Sequence, residues 1–171
     1  MSDLEEFRQA KDHFMGHDPG SPLTQDQKAT FSGLKYFTEN SDLRFELPVE
    51  IFDSNETVEM QTSTGDVAEY LVWGKIQFDV EGESAQLTIF SNTHGHGYFL
   101  PFTDATSGEE TYGAGRYVEI EVLEEGDVAI DFNMAYNPYC AYNEDWSCPL
   151  TPFENRLQVP IRAGEMKFKQ P

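Results

Sequence analysis

Three arginines carry the clearest chemical signal in this chain. Between Lys75 and Lys167 lie sixteen acidic residues and only three basic ones, Arg116, Arg156 and Arg162. Among so many carboxylates, each guanidinium reads as a fork for a carboxylate or for an anionic ligand, not as a solubilising charge. A partly buried structural pair, such as Arg116 with Asp104 or Asp131, or Arg162 with Glu165, would use the same residues. Ahead of Arg116, the segments Asp104-Ala105-Thr106-Ser107-Gly108 and Thr111-Tyr112-Gly113-Ala114-Gly115 are dense in hydroxyls and glycine. Glycine lets backbone N–H groups approach a ligand and hydroxyls orient it, but a long turn bonded to its own backbone has the same composition. The lysine and following helix of a phosphate-binding P-loop are missing, which excludes nucleotide binding by that route.

His94-Gly95-His96 offers a metal site. Alternation at a strand end would put both imidazoles on one face, close enough to share a divalent ion, while the flanking Gly95 and Gly97 equally suit a solvated loop tip. Cys140 and Cys148 admit three readings: two ligands of a zinc ion that needs partners from elsewhere, a disulfide closing the loop, or a pair of buried thiols. No histidine lies near them in sequence to activate a nucleophile. Around them stand Tyr112, Tyr117, Tyr136, Tyr139, Tyr142 and Trp146, rings that belong in a core with their polar tips at the rim. Asn133, Asn137, Asn143 and Asn155 have the composition of turn formers. The expected ligand pocket gathers Asp104, Tyr112, Arg116, Asp131, Asn133, Tyr136, Asn137, Asn155 and Arg162, with Arg116 and Arg162 as counter-charges for a small polar or anionic metabolite. The alternatives are a metal-assisted hydrolase that uses His94, His96 and a carboxylate such as Asp104, and a structural or partner-binding protein whose polar residues satisfy one another.

Positioning these groups falls to a sheet. Ser2 and Glu5 have capping-box spacing, and Leu4, Phe7 and Phe14 share a helical face, which predicts an amphipathic helix from Asp3 to Met15 ended by Gly16. Thr24 with Gln27 marks a second, shorter helix before Gly33. Beyond Gly33 the pattern alternates. Strands are expected at 43–47, 49–52, 58–60, 70–73, 75–80, 86–90, 98–102, 116–122, 128–132 and 157–161, with turns at Thr64-Gly65-Asp66, Glu81-Gly82-Glu83 and Glu124-Glu125-Gly126-Asp127. The expectation is one mainly β domain over 1–171, an antiparallel sandwich or partly open barrel, with residues 1–33 as its helical N-terminal segment.

Composition limits the partners. With 31 acidic residues against 11 Lys plus Arg, the net charge is -20, which repels nucleic acid backbones and anionic lipid. A mean hydropathy of -0.54 beside 39% hydrophobic residues describes a polar surface around a sufficient core, not disorder. Carboxylates spread over the whole chain repel one another in dilute buffer and are screened in salt, the pattern of a halophilic protein. No apolar run is long enough to span a membrane, and the acidic first residues lack a signal-peptide pattern, so a cytoplasmic location is expected.

From Phe99 onward the chain resembles a bacterial and archaeal family, domain of unknown function 1684. The matching blocks run from Phe102 to Tyr117, through Asp131-Phe132-Asn133, Ala135-Tyr136-Asn137-Pro138, Cys140 and Cys148-Pro149-Leu150, to Asn155-Arg156-Leu157 and Ile161-Arg162-Ala163-Gly164-Glu165. A looser match covers Arg8, Lys11-Asp12, Phe14 and Ser21-Pro22-Leu23. The resemblance implies no particular reaction.

Overall fold

The computed structural model describes residues 2–53, 56–93 and 97–168. Helix α1 (Asp3–His17) starts at the expected capping box, with Ser2 Oγ accepting from the Glu5 N–H at 3.2 Å and Glu5 accepting from the Ser2 N–H at 2.8 Å. It runs past Gly16 and stops at Asp18, whose N–H bonds the Phe14 carbonyl just before Pro19 removes a donor. The second box, Thr24 with Gln27, starts α2 (Gln25–Thr30). The inward stripe of α1 differs from the expected one. Its fully buried residues are Leu4 and Met15, and the two positions on the line between them at helical spacing are the half-buried Arg8 and Lys11, while Phe7 is 39% exposed.

Among the described residues ten strands follow: β1 (Arg44–Pro48), β2 (Glu50–Ile51), β3 (Thr57–Gln61), β4 (Val67–Val80), β5 (Glu83–Asn92), β6 (Tyr98–Phe99), β7 (Pro101–Phe102), β8 (Arg116–Tyr117), β9 (Ile120–Val122) and β10 (Asp127–Asp131). They form an open arrangement and not a barrel. One sheet has the order β1-β10-β9, a larger one β2-β4-β5-β6 with β3 also on β4, and β7 pairs with β8 alone. Every one of these strand pairs is antiparallel. The long β4–β5 hairpin turns at Glu81 and Gly82, both at positive φ (51° and 83°), the backbone of a tight two-residue turn that follows the strand twist.

The two larger sheets share one core. Ile76, Phe78 and Val80 of β4 and Ala85, Leu87 and Ile89 of β5 meet Val128 and Ile130 of β10, with Phe102 and Phe132 between them. Ring contacts of Phe132 with Phe45, Phe78 and Phe102, at centroid distances of 5.4–6.0 Å, join the layers. No helix among the described residues is long and apolar enough to cross a membrane.

The expected strand over Leu157–Ile161 is irregular chain. Pro160 has no N–H to give a ladder, and the segment is tied instead by single bonds: Leu157 N–H to Thr103 O (2.8 Å), Ala105 N–H to Val159 O (3.0 Å) and Ile161 N–H to Asp104 Oδ2 (2.5 Å). At Gly164 (φ 80°) a Cβ would stand 2.7 Å from the Ala135 carbonyl oxygen and 2.8 Å from that of Phe132. Only glycine lets the chain pass the 132–135 turn this closely.

Candidate functional site

The nine residues expected to line one pocket sit in several places. Arg116, 1% exposed, lies in the interior. Its guanidinium donates to the carbonyls of Ala163 (2.5 Å), Glu165 (3.1 Å) and Ile161 (2.8 Å), stands 3.6 Å from Asp104 Oδ2 and lies over the Phe102 ring. It thus gives the irregular C-terminal segment the donors that a neighbouring strand would have supplied. Burial pulls its pKa down to about 10, against the opposing pull of Asp104 and Glu165. Asp104 accepts from the hydroxyls of Thr106 (2.8 and 2.9 Å) and Ser107 (3.2 Å) and from the Ile161 N–H. In turn the Asp104 N–H donates to Ser107 Oγ at 3.0 Å, so the hydroxyl-rich loop bonds to itself.

Two asparagines act as side-chain strands. Asn155 accepts from the Thr88 N–H and donates to the Thr88 carbonyl, both at 2.8 Å, with a further bond to the Pro101 carbonyl. Asn133 does the same to Asn40, accepting from its N–H at 2.8 Å and donating to its carbonyl at 2.9 Å. In each case one amide satisfies both polar groups of one backbone residue, as a ladder neighbour would.

The remaining expected residues lie nearer the surface or around a different centre. Asp131 pairs with Arg44 at 3.1 Å across the β1–β10 ladder. Arg162 is exposed and bonds Glu110 at 3.2 Å, facing a hollow of about 350 Å³ that also contains Asp79 and Glu81. Arg116, Asp131 and Arg162 therefore do not converge. Tyr112 touches the Cys140 sulfur at 3.7 Å, and burial raises its pKa. Cys140 and Cys148 are free and buried, with the Cys140 N–H directed to Cys148 Sγ at 3.3 Å. Burial pushes the Cys148 thiol up to about 11, away from the thiolate that zinc or a nucleophile needs. His94 and His96 lie outside the described residues, and among the described residues no group of three ligating side chains gathers.

Two other arrangements stand out. The first is a cavity of about 650 Å³ where Phe7 of α1 overhangs the outer face of the β1-β10-β9 sheet. Ala129 occupies the middle of that face, and its ladder neighbours are Glu46 on β1 and Glu121 on β9, so a small side chain is flanked by two long ones. Met134 and Tyr136 add apolar walls, while Arg44, Asp131 and Glu119 complete the polar rim. Tyr136 and Asp131 are the two of the nine expected residues that line it. Tyr136 is fixed there by donating to Glu119 at 2.7 Å. The second arrangement surrounds Glu165, 1% exposed, which accepts from Lys11 Nζ, the Tyr142 hydroxyl and the Asn137 N–H (3.1 Å). Sequence reasoning passed over Arg8, Lys11, Tyr36 and Tyr142 here. The available signal was a pair of cations on the inward line of α1.

A family model described as "Protein of unknown function (DUF1684)" matches residues 29–166. No curated protein matches. Among solved structures, the chain is similar to an uncharacterized protein of Haloarcula marismortui, determined in solution by NMR. The two are 36% identical, with a TM-score of 0.73 over 95% of this chain and 91% of that one.

Proposed function

Because the chain belongs to the DUF1684 family, whose description carries no activity, its role has to be read from geometry, and we propose that it binds a small organic molecule in the cavity between α1 and the β1-β10-β9 sheet. The supporting observation is the cavity itself. About 650 Å³ of concave, largely apolar space with a few polar groups at its edge is the usual form of a small-ligand site. Its charge favours one class of guest. Glu46, Glu119, Glu121 and Asp131 face it against a single arginine, Arg44, which already pairs with Asp131 and with Glu39 at 3.1 Å each. An anion would meet net repulsion there, so the ligand is a neutral or cationic molecule with an apolar body, in place of the anionic metabolite that the sparse arginines first suggested. Phenethylamine and phenylpropionate, matched in ring and differing in charge, test this by calorimetry in concentrated KCl. Phenethylamine is expected to bind, phenylpropionate at least about tenfold more weakly. Ala129→Phe, which fills the floor, should abolish binding while leaving the melting temperature near that of the wild type. Equal binding of both probes, or binding that survives the substitution, would sink the proposal.

A second reading, a structural or interaction protein without a ligand, draws support from Arg116, Asn133 and Asn155, whose polar atoms are taken up by the chain itself. The same experiment separates the two.

The proposed setting is a salt-rich cytoplasm. A net charge of -20 and likeness to a protein of Haloarcula marismortui support it. Raising KCl from dilute buffer to molar concentration should raise the melting temperature steadily, since screening acts on repulsion spread over the whole surface. A melting temperature indifferent to KCl would remove the halophilic reading.

A further inference from the structure

Among the described residues, four buried side-chain atoms lack a hydrogen-bond partner: Arg8 Nε, Arg8 Nη2, Tyr36 Oη and Asn137 Oδ1. They come from separate parts of the chain, on residues that flank Glu165 or, for Arg8, lie over its bridge partner Tyr36. Tyr36 faces Glu165 across an antiparallel bridge, the Arg8 guanidinium lies 4.4 Å over the Tyr36 ring, and the Asn137 N–H donates to Glu165 Oε2. Glu165 does not neutralise Arg8, because Lys11, Tyr142 and Asn137 already occupy its oxygens. Asp12, one turn along α1, is engaged by the Leu34 N–H at 2.9 Å. On a chain with 31 acidic residues, an arginine with its fork edge enclosed and no carboxylate on it is out of pattern.

The chemistry of the four atoms defines what would satisfy them. Arg8 Nε–H and Nη2–H lie on one edge of the guanidinium, spaced for two oxygens of a planar or tetrahedral oxyanion. The Tyr36 hydroxyl can donate to a third oxygen. Asn137 Oδ1 only accepts, and its amide nitrogen is held by the Met166 carbonyl at 3.1 Å, so the side chain cannot turn round to donate. A fully ionised anion would set an oxygen against Asn137 Oδ1, whereas an anion that keeps one O–H would donate to it. We propose that Arg8, Tyr36 and Asn137 form a binding site, separate from the helix–sheet cavity, for a small protonated oxyanion of the bicarbonate or hydrogenphosphate type. The four atoms are enclosed, so the anion enters as α1 lifts. The helix presents only Leu4 and Met15 as fully buried residues, and its polar ties to the sheet side are Lys11 to Glu165 and Asp12 to Leu34, few enough for local opening.

Bicarbonate, phosphate and nitrate, each exchanged for part of the chloride around the full chain at constant pH and ionic strength in concentrated KCl, make the test, with chloride itself as the baseline. A saturable rise in melting temperature is expected with bicarbonate or phosphate, and whichever gives the larger rise identifies the anion. Nitrate, a planar oxyanion without a proton, should bind at least about tenfold more weakly than bicarbonate. Tyr36→Phe, which keeps the ring under Arg8, should weaken binding several-fold, and Arg8→Gln should abolish it. Should Arg8→Gln fail to fold, amide resonances of wild-type Asn137 and Tyr36 give the same answer, moving with bicarbonate or phosphate and not with nitrate. Equal effects of the three oxyanions, no rise above the chloride baseline with any of them, binding retained by Arg8→Gln, or resonances that stay still would overturn the assignment.

Discussion

Arg116→Met is expected to lower stability by about 3–5 kcal/mol, the range for removing one partner of a buried charged network. Three carbonyls of the 161–165 segment would lose their donors, and Asp104 would keep its charge in the interior without a cation. The carbonyl bonds should dominate the loss. At 2.5–3.1 Å they are well formed, whereas the 3.6 Å separation from Asp104 Oδ2 is long for an ion pair, and Asp104 has hydroxyl and backbone donors of its own. A double-mutant cycle decides between them. Asp104→Asn should cost less than Arg116→Met, with a coupling energy under half the cost of the arginine change. Thermal melts in concentrated KCl should show Arg116→Met lower by about 10 °C or more. A coupling energy as large as the whole arginine effect would instead make the ion pair the main term.

This division of labour explains what the sequence could and could not disclose. The capping boxes at Ser2 and Thr24 and the tight turn at Glu81-Gly82 are local chemistry, and they appear where spacing predicts. The scarcity of arginines marked Arg116 as a residue held by particular partners. Which partners it takes depends on chain far away, since backbone carbonyls some 45 positions on compete with the carboxylates that composition suggests. Asn133 and Asn155 were equally opaque, because an asparagine that replaces a strand neighbour has the same sequence signature as one that makes a turn. Pro160 was the local warning against a strand at Leu157–Ile161, outweighed by the alternation around it. On α1, an apolar face drawn through Phe7 and Phe14 hid the inward line that contains Arg8 and Lys11. Helical periodicity counts hydrophobic residues, so a buried cation breaks the pattern by which a buried face is recognised.

Alkaline titration should unfold the protein steeply, with the phenols of Tyr36, Tyr117, Tyr136 and Tyr142 silent until it does. Burial raises the pKa of Tyr36, Tyr117, Tyr136 and Tyr142 far above the usual value, joined by Glu165 at Tyr36 and Tyr142, by Cys148 and Cys140 at Tyr117 and by the bond to Glu119 at Tyr136. In the unfolded chain these groups ionise near the ordinary phenol value of 10.0, while in the folded chain they stay neutral. The native state then holds protons that the unfolded state has released, so this stabilisation is complete below pH 10 and is lost as the pH rises further. A fully buried phenol changes stability by about 1.4 kcal/mol per pH unit in that range, and Tyr36, Tyr117 and Tyr136, being partly solvated, contribute less. Arg116 acts in the opposite sense. Its folded pKa of about 10 lies below the ordinary arginine value, so it adds stability as the pH rises above 10, but as one group against four. The tyrosinate absorbance of these four phenols and the far-ultraviolet circular dichroism should therefore change together, in one cooperative step well above pH 10. The absorbance of Tyr142→Phe should fall short by one phenol. Absorbance for all eight tyrosines reached near pH 10 with the circular dichroism unchanged would show that these rings are open to solvent, and would remove the packing that sets Tyr36 beneath Arg8 and Tyr142 against Glu165.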